Sequence, residues 1–406
     1  MAADETHPAD HTRTGGVKAG GLKNRAELRA LTSVRGVAAW FVVLYHIRFS
    51  IAGLPPTLVT IFGKGYLAVD FFFLLSGFVI WLTWGERIHV GGWRAVPRFL
   101  QKRIARIWPL HLFMLGCAIG LALLLASTGR QDPYHYPFAQ LPLHLLLLQN
   151  WGFTSQLAWN VPSWSISAEL GAYLLFPLLA LAIDWRRVPT PAILAAIGSL
   201  FAALHLIMAS FGGATLGSDI AHFGLLRCLT EFSAGTAICA LWVRWRDTPA
   251  LPAIVSGLTS TALLLCWATR ALPETLAIPP AFAALLLALA LTSDRRRNPL
   301  EITPLHYLGE ISYATYLGHF MLFIVFKLVF VADPRAIPPH LIALYLTMVL
   351  VSSVALYHLI ERPAQDWINR LKLPSRSREG LGDGTPPASA DVTGPPLTPP
   401  ASGRGI

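Results

Sequence analysis

Apolar residues gather into runs about twenty long, at 31–49, 67–84, 108–127, 165–183, 192–211, 222–242, 250–268, 275–292, 310–331 and 340–360. Each is long enough for a helix to cross the ~30 Å hydrocarbon core of a bilayer. Inside lipid the backbone must satisfy its own hydrogen bonds, which a helix does within one segment. The pattern predicts an all-α fold, a polytopic membrane bundle of about ten transmembrane helices. The connections test that count. Those at 85–107, 184–191, 243–249 and 293–309 are basic, the last carrying Arg295, Arg296 and Arg297, whereas those at 50–66, 128–164, 212–221, 269–274 and 332–339 hold one basic residue or none. The alternation is unbroken, so both termini are expected on the cytoplasmic side of the inner membrane. Within 128–164, the stretch LPLHLLLLQNWGF is too short to span and is expected at the outer interface.

The ends differ from this core. Residues 1–28 are polar and Gly-rich with Lys18, Lys23 and Arg25, and 374–406 are rich in Pro, Gly and Ser. Both read as disordered cytoplasmic tails around a membrane domain at 29–373. The first apolar run contains an arginine and lacks a small-x-small cleavage site, so a membrane helix is expected there, not a signal peptide. No internal repeat and no pair of broken helices is visible.

Composition agrees. The chain is 54% hydrophobic and 13% charged, with a mean hydropathy of +0.52, too few charges to cover a soluble surface. A net charge of +10 raises nucleic acid as a partner. Its placement in the loops between spans points to the bilayer instead, and no nucleic acid is expected. Cys117, Cys228, Cys239 and Cys266 have neither disulfide nor zinc spacing and read as small core residues.

Candidate chemistry starts in the first run, LTSVRGVAAWFVVLYHIRF, which holds Arg35 and His46. Eleven residues apart, they lie within about 20° of one another on a helix and about 16 Å apart along one face. Ionisable groups within a span are costly and turn toward a site or a partner. Each also has an ordinary alternative: Arg35 could snorkel to the headgroups, and His46 could be a core histidine with satisfied bonds. Helix direction places His46 about 5 Å below the outer surface, with Asp70 of the second span and Glu169 of the fourth about 5 and 6 Å deep. A carboxylate beside an imidazole fixes its tautomer and stabilises the imidazolium, as a general base acting on a hydroxyl requires. Asp70 could instead cap its helix, and Glu169 could be solvated. At the other end, RFLQKRIARIWPLH brings Arg98, Lys102, Arg103 and Arg106 to one helical side near Arg35. That is a seat for phosphates, although the positive-inside bias alone also explains the charges.

Arg35 and His46 at this spacing, with GYLAVDFFFLLSGFVIW at 65–81, RIARIWPLH at 103–111, PSWSISAEL at 162–170, LRCLTEFSAG at 226–235, LGEISYATYLGHF at 308–320 and IERP at 360–363, resemble the acyltransferase-3 family. The resemblance covers about 31–365 and implies an integral-membrane O-acyltransferase. It further implies acyl-CoA, by default acetyl-CoA, as co-substrate, a catalytic histidine at His46 and a donor-binding arginine at Arg35. The acceptor would be a hydroxyl of a polysaccharide, glycolipid or related molecule. Some members carry a C-terminal SGNH-type hydrolase domain. This sequence ends without one, so a second transfer step in the same polypeptide is not expected.

The expected mechanism joins both layers. CoA phosphates sit on Arg35, Arg103 and Arg106, the pantetheine arm runs outward, and His46 deprotonates the acceptor with Asp70 or Glu169 orienting it. Ser163, Trp164 and Ser165 would shape the acceptor side, the indole stacking a sugar ring. A covalent acyl-enzyme on His46 or a serine stays open. Arg227 and Glu231, four apart, suggest an intramembrane ion pair or a donor contact. His319 near mid-helix could line the path or be structural. Tyr313 and Tyr316 are expected between helices with bonded hydroxyls, and Pro363 is expected to end the last helix beside Glu361 and Arg362. No metal and no permanently bound cofactor is expected. The competing reading is a transporter or flippase for a glycoconjugate, which ten spans with internal charges would also suit; a receptor without chemistry is a third.

Overall fold

The computed structural model describes residues 28–293 and 298–371. The two expected tails, apart from Leu28, and Arg295, Arg296 and Arg297 lie outside the described residues. Nine continuous helical stretches among the described residues are long and apolar enough to cross a membrane. One of them, Pro56–Ser127, runs 72 residues and turns back on itself. Gly92 takes a φ of +56° that a side chain would resist, and the rings of Trp84 and Phe99 on either side of it lie 5.5 Å apart. That stretch supplies two crossings, so we number ten: α1 Arg29–Ile47, α2 Ala68–Ile80 with the π turn Trp81–Gly85, α3 Val96–Ser127, α4 Trp164–Ala182, α5 Thr190–Ser210, α6 Ile220–Trp245, α7 Ala250–Ala268, α8 Glu274–Thr292, α9 Ser312–Phe330 and α10 Pro339–Leu356. The protein is an all-α, multi-pass membrane protein.

The connections sort to two ends, as their charges require. Glu86 and His89, Asp184 and Arg186, Arg246 and Pro249, and Ser293 line one common cavity, so the basic connections meet. At the opposite end, Glu274 accepts hydrogen bonds from Lys64 Nζ at 3.1 Å and Leu216 N at 3.0 Å, and also from Tyr66 Oη. Ile337 N donates to Ser50 O at 2.7 Å, closing a bridge between two more connections of that end.

Lipid and protein faces are distinct. Only Ala253, Ser256 and Ser260 of α7 are buried, while Leu251, Leu258 and Leu265 are exposed, an apolar surface suited to acyl chains. At the centre, α2 and α6 approach until the backbones touch. A Cβ on Gly77 would collide with Phe232 O, and one on Gly235 with Leu74 O, which is why small residues sit there.

Several expectations need correction. The connection at 85–107 is helical: Glu86–Gly91 and the 3-10 turn Gly92–Ala95 lead into α3, which starts twelve residues before its apolar run. Arginine, lysine and glutamine are good helix formers, so charge ended the apolar pattern without ending the helix. Pro363 does not terminate a helix. After the π turn Tyr357–Glu361 it occupies the first turn of a new one, Arg362–Arg370, where proline is tolerated. The LPLHLLLLQNWGF stretch has only a short helix, Leu141–Leu145, and reaches inward. There Trp108 Nε1 donates to Leu145 O at 3.0 Å, about 18 Å along α3 from its start. Cys117 is exposed rather than in the core.

Candidate functional site

Helix α1 carries the two residues singled out by their spacing, and α9 meets it at both. Gly36 packs against the backbone of the short helix Thr303–Glu310 that precedes α9; a Cβ there would lie 2.7 Å from Gly309 N. This approach sets the neighbouring Arg35 against the start of α9, where Arg35 Nη2 donates to Ser312 Oγ at 3.1 Å. Farther along, His46 Nδ1 lies 3.2 Å from His319 Nε2, the ring centroids 5.0 Å apart. Ser312, Tyr316 and His319 follow at intervals of four and three, so they share one face of α9.

The imidazole pair is half open. His319 is buried, with Nδ1 3.1 Å from Thr315 O, and its own carbonyl accepts from Tyr345 Oη at 3.0 Å. His46 is half-buried, with Nδ1 also 3.0 Å from Val42 O. Around it stand Tyr45 and Phe320, ring centroids at 5.0 and 5.3 Å, with Tyr66 5.7 Å from Tyr45. Neither expected carboxylate orients His46. Asp70 bonds Arg227, and Glu169 does not share the depth of His46: it bonds Ser76, about 12 Å along α2 from Ala68, and lies in one cavity with Arg35.

Glu169 belongs to the other end of the site. A cavity of about 180 Å³ is lined by Arg35, Arg103, Arg106, Glu169, Tyr173 and Ser312, and extends to Ser165 and Tyr316. Glu169 Oε1 accepts from Ser76 Oγ and Tyr173 Oη, both at 2.6 Å. Arg106 pairs with the buried Glu361, which ties the closing IERP segment to α3. Arg103 lies over the Tyr173 ring, 5.9 Å from its centroid, with no ion-pair partner among the described residues. Three cations thus face two carboxylates. Tyr313 Oη donates to Ile107 O at 2.6 Å, fixing the wall. Tyr316 closes the far end, its hydroxyl 2.9 Å from Ser165 Oγ and 3.1 Å from Pro162 O, and its ring centroid 6.2 Å from that of His319. Both tyrosine hydroxyls are bonded, as expected.

Asp70 sits in a sealed cluster. Arg227 Nε and Nη2 donate to its Oδ1 at 3.0 and 2.6 Å, and Glu231 lies beside the pair. The expected Arg227–Glu231 pair is therefore a triad in which Arg227 bonds Asp70, and none of the three lines the cavity. Trp164 is buried between Arg227, 5.4 Å from its ring centroid, and Phe73 at 5.9 Å. It is buried, so it offers no platform to a sugar. Ser163 is buried and accepts from Gln149 Nε2 at 3.2 Å; of the three expected acceptor-side residues only Ser165 reaches the cavity.

A second cavity of about 600 Å³, at the end where the basic connections meet, shares no lining residue with the first. Its charges are spoken for. Arg186 donates to Asp184 at 2.8 and 3.2 Å and holds that carboxyl below the usual carboxylate range. Arg244 donates to Thr190 Oγ1 at 2.8 Å and to carbonyls of the 185–188 turn.

A polar cavity whose end wall, Tyr316, stands beside an imidazole pair inside a helical membrane bundle is the candidate site of a membrane-embedded enzyme. Residues 28–358 match the family described as an acyltransferase domain, and the chain belongs to this acyltransferase-3 family. It is similar to the acyltransferase MdmB of Streptomyces mycarofaciens, 31% identical over 72% of this chain and 78% of that one. It is also similar to the provisionally named membrane-bound transacylase BcsY of Komagataeibacter xylinus, 26% identical over 88% and 87%. A third relative is the provisionally named peptidoglycan O-acetyltransferase YrhL of Bacillus subtilis strain 168, 24% identical over 82% of this chain and 54% of that one. No solved structure matches.

Proposed function

We propose that this protein moves an acyl group, acetyl by default, from acyl-CoA at the basic end of the bundle to a hydroxyl of a glycan or glycolipid at the opposite end. The basic end is then the cytoplasmic side of the inner membrane, with both termini on it. One observation carries the reading: a single helix, α1, presents a cation to a cavity at one end and an imidazole to a second histidine at the other. The names of MdmB, BcsY and YrhL support acyl transfer, and that of YrhL supports a glycan hydroxyl as acceptor.

The cavity of about 180 Å³ is smaller than the 300–1,000 Å³ typical of ligand pockets, so it takes the acyl-pantetheine arm rather than a whole CoA. The phosphates rest at its mouth on Arg103 and Arg106, with Lys102 and Arg98 beyond. Arg35 bonds the arm. The thioester reaches the histidines past Tyr316. His46 Nε2 takes the acceptor's proton as the oxygen attacks the thioester carbonyl. The C–S bond then breaks, the CoA thiolate leaves, and the proton on His46 passes to it, giving an ester and CoA thiol. Tyr45, Tyr66 and Phe320 form the aromatic surface beside His46, replacing Trp164 as the wall against which a sugar packs.

The test is release of free CoA thiol from acetyl-CoA by the purified protein in proteoliposomes. Release that depends on added glycan acceptor is expected. Movement of unmodified glycan across the bilayer without thiol release contradicts the reading and selects a transporter.

A further inference from the structure

We infer that His319 is a positioning residue for His46: it accepts a hydrogen bond from His46 Nδ1–H and so selects the tautomer whose Nε2 is free to act as base. The inference rests on the acyl-transfer reading above, in which His46 is the base.

Hydrogen-bond roles settle the protons. A carbonyl oxygen accepts and never donates. His319 Nδ1, 3.1 Å from Thr315 O, therefore carries hydrogen, and in the neutral ring Nε2 is left as a lone pair. That lone pair lies 3.2 Å from His46 Nδ1. His46 Nδ1 is thus placed between two acceptors, His319 Nε2 and Val42 O at 3.0 Å. It must be the protonated nitrogen, and its hydrogen is shared between them. The remaining nitrogen, His46 Nε2, carries the lone pair and meets no hydrogen-bond partner among the described residues.

The chain runs one way: His46 donates to His319, and His319 donates to Thr315 O. It is anchored at its far end, because Tyr345 Oη donates to the His319 carbonyl at 3.0 Å and both residues are buried. A carboxylate usually performs this service for a catalytic imidazole, and here neither Asp70 nor Glu169 reaches it. A second imidazole does the same with a neutral acceptor, which leaves no buried negative charge to be compensated while the enzyme is idle. When His46 Nε2 takes the acceptor's proton, the imidazolium keeps both of its Nδ1–H acceptors. No rearrangement of the pair is needed at that moment.

The test compares His319→Leu, which fills the space without an acceptor, with His319→Gln, whose amide oxygen can accept from His46 Nδ1–H. In the full-length protein, kcat for CoA release in His319→Leu should fall on the order of 100-fold with KM for acetyl-CoA unchanged. His319→Gln should recover at least about tenfold of that loss. Should His319→Leu fail to fold, His319→Gln against His319→Met gives the same contrast. Equal losses in the accepting and non-accepting variants would overturn the inference, as would full activity without an acceptor. His46→Ala separates the two claims: if it is fully active, the base assignment itself has failed, whereas an inactive His46→Ala with an unimpaired His319→Leu removes only His319.

Discussion

Asp70, Arg227 and Glu231 share the bundle with His46 and His319, and both groups place polar atoms where lipid-facing helices cannot. They are built for different ends. The triad is buried to within 1% of full enclosure, touches neither cavity, and is bridged through two hydrogen bonds to one carboxylate oxygen. The imidazole pair is half open on the His46 side, lies one turn beyond the end of a cavity, and keeps one nitrogen unengaged. Burial of charge marks where a bundle is held together, and a reachable atom without a partner marks where it can react. By that measure the triad fixes α2 against α6, about two turns from where glycines let those helices touch, and the histidines are the proposed seat of the chemistry.

The sharpest way to break this contrast is Arg227→Met. Removing the cation leaves two carboxylates buried without compensation, which costs about 3–5 kcal/mol. Folded protein should be largely lost from the membrane, as read by size exclusion in detergent. A folded, inactive Arg227→Met would instead make the triad catalytic. Next, Arg103→Ala should raise KM for acetyl-CoA about tenfold, the worth of one charge-assisted contact of about 1.4 kcal/mol, with kcat little changed. An unaltered KM would move the donor away from this cavity. Glu274→Gln weakens the tie at the opposite end of the bundle. Because Lys64 is 39% exposed, the loss should be limited to about 1–2 kcal/mol, seen as a lower Tm with donor KM unaffected. Smallest of all, Tyr316→Phe removes the hydroxyl that holds the cavity's end wall, a loss of about 1 kcal/mol. It should change kcat less than about threefold, and a complete loss of turnover would make Tyr316 a direct participant.

Much of this architecture could be read along the chain. The ten apolar runs match the crossing helices to within a few residues at most ends, because length and hydropathy decide a span before any packing does. The shared face of Arg35 and His46 also follows from helical geometry alone, and α9 meets that face at both residues. What periodicity could not supply is lateral neighbourhood. Glu169 lies in the arginine cavity with Arg35 rather than at the level of His46, and Asp70 is sealed against Arg227, since the order of helices around the bundle leaves no trace in a single sequence. His319 stands 273 residues from His46. The signal pointing to it was the spacing of Ser312, Tyr316 and His319 on one face of α9, a polar stripe matching that of α1. Trp164 misled for a related reason: an indole near a presumed outer surface suggested a sugar platform, while its packing against Arg227 and Phe73 depends on contacts across helices.

The central claim is that His46 is the base, and one measurement bears on it most directly: acceptor-dependent acyl transfer by His46→Ala, in protein shown by size exclusion to be folded and still able to bind acetyl-CoA. The account predicts a fall of at least about 100-fold with donor binding intact. Undiminished transfer by that variant would contradict it.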